Sequence, residues 1–177
     1  LLDEAGYPVK ADGTRFTVTV DYAPGSPTTK MMAEYLKPQL AKVGIDAKIR
    51  ISPDFGTWAE RVSNYNFDIT TDNVFNWGDP VIGVHRTYSS ANIVKGVPFS
   101  NTQQYRNPKV DAIMEQAASE VDNEKRAKLY KEFQQNDVPI YFMTTTAYHT
   151  IYNKRAGNVP ASIWGFLAPY MDVYLKK

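Results

Sequence analysis

Two stretches decide the fold: Phe16-Thr17-Val18-Thr19-Val20-Asp21-Tyr22 and Ile45-Asp46-Ala47-Lys48-Ile49-Arg50-Ile51. Phe16, Val18, Val20 and Tyr22 alternate with polar residues in the first, and Ile45, Ala47, Ile49 and Ile51 do so in the second. This is the period of a strand with one buried face. Between them lies loop chemistry, Ala23-Pro24-Gly25-Ser26-Pro27, and then a helical pattern. Met32, Leu36, Leu40 and Val43 fall on one face, and Gly44 supplies the stop. Pro38 inside that helix is expected to kink it or shift its boundary. Strand, helix, strand is the parallel crossover unit.

The pattern continues outward in shorter form. Thr57 and Glu60 have capping-box spacing, Trp58 and Val62 give a short apolar face, and Phe67-Asp68-Ile69-Thr70-Thr71 is another β-rich run. The reading is an α/β chain with a largely parallel sheet. Residues 72–105 are expected to be a long irregular segment, rich in Gly, Pro, Asn and Ser. Order returns at Asn107-Pro108, an N-cap followed by Pro at the first helical position. Val110, Ile113, Met114, Ala117 and Val121 form the apolar face there, and Leu129, Tyr130 and Phe133 that of a following helix. Residues 138–143 read as a buried strand, and the remainder as short strands and turns ending at residues 170–175. At the other end, Leu1-Leu2-Asp3-Glu4-Ala5-Gly6 has the pattern of a helix's last turn, which points to a piece of a longer protein.

Composition narrows the function classes. The 177 residues carry Lys+Arg 20 against Asp+Glu 19, a net charge of +1, so the basic excess of a nucleic-acid binder is missing. Without cysteine there is no disulfide scaffold, thiol nucleophile or cysteine-bound metal. No apolar run approaches the ~18 residues of a membrane span. The two histidines, His85 and His149, stand in different segments without metal-ligand spacing, and the common hydrolase, P-loop and dinucleotide motifs are absent. Neither catalysis, a metal nor a cofactor is indicated.

Parallel α/β sheets bind ligands outside the carboxyl ends of their strands. That rule selects residues 23–27, 52–57 and 72–80. The third is the richest, with Asp72, Asn73, Asn76, Trp77 and Asp79 offering carboxylate, amide and indole groups in a short span. Trp77 could instead cover the core, and Asp79-Pro80 could cap a helix. Arg86 is a candidate for a ligand carboxylate, while Phe55 and Trp58 beside a strand end are candidates for either pocket wall or core.

Several residues together carry a family resemblance: the opening Leu1-Leu2-Asp3-Glu4-Ala5-Gly6-Tyr7, the join from Leu36 through Leu40 to Gly44-Ile45, and Trp77-Gly78-Asp79-Pro80. Asn107-Pro108 with Val110-Asp111, Arg126 with Leu129-Tyr130, and Val138-Pro139-Ile140 complete it. In order and spacing the chain resembles the family 5 extracellular solute-binding proteins of bacterial ABC importers, the oligopeptide, dipeptide and nickel-binding type. The resemblance implies the C-terminal lobe of a type II periplasmic binding protein, a mixed sheet flanked by helices. Residues 1–145 would be the ligand-binding lobe, and residues 146–177 would return through the hinge to a second lobe. It further implies a monomeric periplasmic or lipid-anchored receptor that closes on a peptide or other small solute and delivers it to a membrane permease. A lone lobe would bind weakly or not at all. Peptide-binding members pair an aspartate with the peptide amino group, and this sequence has Asn76 at that place, with Asp72 the nearby carboxylate. A stand-alone α/β enzyme and a receptor's ligand-sensing domain remain the alternatives.

Overall fold

The computed structural model describes residues 1–74, 78–136, 140–141, 143, 151–161 and 168–176. Strand β1 (Phe16–Tyr22) lies between β2 (Ile45–Arg50) and β3 (Ile69–Thr71), and both pairings are parallel. Phe16 stands opposite Ile45, Asp21 opposite Arg50, and Tyr22 opposite Thr71. Among the described residues, antiparallel pairing is confined to a separate ribbon of β4 (Ala156–Gly157) and β5 (Tyr174–Leu175). The expected strand over residues 138–143 falls mostly outside the described residues.

Helix α1 (Pro27–Ala41) crosses from β1 to β2 and covers one face of the sheet. Ser26 caps it, Pro27 begins it, and it continues through Pro38. Its inner residues include Ala33 and Leu40, which pack with Val18, Val20, Tyr22, Ala47 and Ile69. Val43, expected on that face, lies beyond the helix end and is exposed. The start of the helix is tied down by side chains. The hydroxyl of fully buried Thr29 is 2.7 Å from the Ala23 carbonyl, and the Thr71 hydroxyl donates to the Thr29 carbonyl at 2.8 Å.

The opposite face of the sheet is polar, and it is covered at its carboxyl end. Helix α2 (Phe55–Ser63) lies there, with Trp58, Ala59 and Val62 packing with Ala23 and Phe67. Its cap is Asp54, which accepts the Thr57 N–H at 2.7 Å, so the helix begins before the expected Thr57–Glu60 box. Asp21, read as the outward side of β1, is fully buried beneath α2. Arg50 grips it through Nε at 3.0 Å and Nη2 at 2.8 Å, and Arg61 of α2 adds a contact at 2.7 Å. An ion this dry is tolerated because each oxygen meets a guanidinium.

The segment expected to be irregular contains α3 (Pro80–Tyr88) and a short 3-10 turn at Ser90–Asn92. Asp79 caps α3 and Pro80 begins it. Then come α4 (Pro108–Ser119), capped by Asn107, and α5 (Asn123–Phe133), capped by Asp122. Val110 and Met114 of α4 pack with Tyr88, Val84, Tyr105 and Phe133. Helix α4 stops before Val121, which is 93% exposed rather than part of its apolar face. Residues 1–7 carry the hydrogen bonds of a helix C-terminus: Tyr7 N–H to Leu2 O at 2.9 Å, and Gly6 N–H to Asp3 O at 3.1 Å. Gly6 supplies the left-handed residue, at φ 87°, that this pattern requires.

The buried carboxylate gives a direct test. Replacing Asp21 with Ala leaves two largely covered guanidinium groups unpaired and is expected to cost about 3 kcal/mol in urea unfolding. Lys48→Ala, which breaks only the exposed pair with Asp46, is expected to cost about 0.5 kcal/mol or less.

Candidate functional site

The three parallel strands end at Tyr22, Arg50 and Thr71 on the same edge of the sheet. The chain that follows each of them contributes to one cleft of about 280 Å³. Residues 23–26 come from the loop after β1, Phe55 from the start of α2, and Asp72 and Asn73 from the exit of β3. Phe99 joins them from a remote loop. Gly25 makes its turn at φ 84°, a conformation that suits glycine.

Asp72 is the acid of this cleft. The Asn73 N–H donates to its Oδ1 at 2.6 Å. Burial outweighs that bond and pushes the Asp72 carboxyl up to about 6. The same cleft is lined by an aromatic cluster: Phe55 and Phe99 stack at 5.8 Å with planes 23° apart, and both contact Trp58. Trp58 is fully buried, and its Nε1–H reaches the Thr70 hydroxyl at 3.2 Å. It is therefore the base of the aromatic cluster and part of the core, not a cleft wall.

The other sequence candidates are placed elsewhere. Asp79 caps α3 through the Val81 N–H at 2.9 Å and binds Arg126 of α5 at 2.6 Å. The Arg126 hydrogen bond and the cap hold its carboxyl below the usual range. Arg86 is exposed on α3 and donates to the Pro98 carbonyl at 3.2 Å. His85 meets the Tyr130 hydroxyl at 2.9 Å, and burial lowers its pKa, with Arg126 adding to the effect. Asn76, Trp77 and His149 lie outside the described residues. Among the described residues no three His, Asp or Glu side chains gather as metal ligands, and no helix is long and apolar enough to cross a membrane. Sequence reading missed Phe99. The signal available was an apolar run, Val97-Pro98-Phe99, inside a loop.

Asp72 makes stability depend on pH. The folded protein keeps the proton to about pH 6, whereas a free carboxyl loses it near 3.8. Stability therefore falls as pH rises between those values, and the penalty is complete above about pH 6. Asp72→Asn is expected to melt higher than the parent above that pH. The two should converge below about pH 4; thermal scans across the range check this.

Residues 1–95 match the family described as bacterial extracellular solute-binding proteins, family 5 middle. Heme-binding protein A of Haemophilus influenzae is 31% identical over 138 residues, 76% of this chain and 24% of that protein. The dipeptide-binding protein of Pseudomonas aeruginosa is 30% identical over 168 residues, 90% of this chain and 29% of that protein. The structure of the oligopeptide-binding protein AppA from Bacillus subtilis, in complex with a nonapeptide, matches with a TM-score of 0.62 at 26% identity. That match covers 76% of this chain and 27% of the other. The chain spans less than a third of the length of these curated relatives. Its α/β architecture is that of the type II periplasmic binding proteins. With more than half of its length matched, this chain belongs to family 5 of the bacterial extracellular solute-binding proteins.

Proposed function

We propose that this chain is one lobe of the solute-binding component of a bacterial ABC importer. It holds one end of a peptide or peptide-like solute, which a second lobe encloses, and the closed form delivers the solute to a membrane permease. The receptor acts as a monomer in the periplasm, or anchored outside the cytoplasmic membrane, and breaks no bond in its ligand. Residues 146–177 return through the hinge. The observation that carries this reading is the cleft at the carboxyl edge of the sheet, with Asp72 in its wall, in a chain of this family.

Among the named relatives, heme and peptides stand as rival ligands. The cleft's electrostatics favour the peptide. None of the described residues lining it is basic, while Asp72 presents a carboxylate above about pH 6. Heme brings carboxylates, which would find no counter-ion here. A peptide brings an ammonium group, which Asp72 can pair with in place of the charge missing at Asn76. Asn73 can add hydrogen bonds to the adjacent amide.

The test is calorimetry on the full-length protein containing this chain, freed of ligand, with tri-alanine and with hemin. Tri-alanine is expected to bind at pH 7.5 and to weaken as pH falls through about 6, where Asp72 gains its proton. Asp72→Asn is expected to weaken it about tenfold or more, the worth of a charge-assisted hydrogen bond. Hemin binding without peptide binding would overturn the reading.

A further inference from the structure

We propose that Phe55 and Phe99 form a specificity-determining apolar subsite beside Asp72, so that the ligand is a cation carrying a large apolar group next to its ammonium. This rests on the peptide reading above and narrows it. Both rings are stacked on each other yet stay 48% and 38% exposed, toward a cleft whose wall also includes Asp72. A ligand that covers their open faces gains the burial of aromatic surface that the free cleft forgoes.

The second observation is how Phe99 is held. Its φ is 57°, the left-handed region that a bulky side chain seldom occupies. Its neighbours fix it there. The Ser100 hydroxyl donates to the Val97 carbonyl at 2.8 Å, and fully buried Asn101 donates to the Ser89 and Tyr105 carbonyls at 3.0 and 2.8 Å. Asn101 also accepts the Tyr105 N–H at 2.9 Å. Backbone strain that the surroundings over-determine in this way gathers at ligand sites. The volume agrees: about 280 Å³ sits just below the ~300–1,000 Å³ of whole small-molecule pockets, enough for one end of a ligand.

The experiment compares Phe-Ala-Ala with Gly-Ala-Ala by calorimetry on the full-length protein. The parent is expected to bind Phe-Ala-Ala at least about tenfold more tightly, as burial of one aromatic side chain allows. Phe55→Ala and Phe99→Leu should each cut that preference to about threefold or less. The parent measurement needs no variant to fold. Equal affinity of the parent for the two peptides overturns the subsite and leaves the peptide reading standing. If neither peptide binds, the peptide reading falls and the subsite with it.

Discussion

One buried charge ties the sheet to the helix packed on it. Asp21 stands in the middle strand, without solvent contact, and the chain spends two arginines on it. Arg50 comes from the neighbouring strand and Arg61 from the helix above, so one carboxylate joins β1, β2 and α2. Arg61 also reaches the Ser52 hydroxyl at 3.2 Å, two residues before the Asp54 cap. The loop that aims Phe55 at the cleft is thereby fixed from below. The arrangement allows the carboxyl end of a polar sheet face to be covered, since Asp21 and Thr70 find partners on the helix instead of in water.

The β1–α1–β2 unit was readable because its signals agree. Strict alternation, a capped helix with Pro27 at its start and Gly44 at its stop all point the same way. Helix α3 was not readable as a helix. It is nine residues long, has Gly83 at its middle and is rich in β-branched residues. It is held by tertiary partners instead: Asp79 with Arg126, and His85 with Tyr130. Residue spacing could not announce those pairs, which lie 47 and 45 positions apart. Val121 shows the converse. Periodicity carried the α4 face one turn too far, and the extended Glu120 ended the helix first.

The site divides in the same way. Asp72, Asn73 and Phe55 line one cleft as a topological rule predicts, because loops after parallel strands share an edge. Asp79 has the chemistry of a ligand contact, but its position before a proline at a helix start claims it as a cap. Trp58 was caught between two readings that only burial could separate. Phe99 was invisible because its route to the cleft depends on a loop clamped by Asn101, and no period describes a loop.

Among the described residues β2 is an edge strand, and the charges on one of its faces have a consequence of their own. Along this strand Asp46, Lys48 and Arg50 alternate with apolar residues, and Asp46 and Lys48 pair at 2.9 Å. A strand arriving from another molecule would lie beside a row of charges, some of them hydrated and some already engaged. Charged side chains on an edge strand disfavour such pairing, so the alternation that builds the fold also works against aggregation.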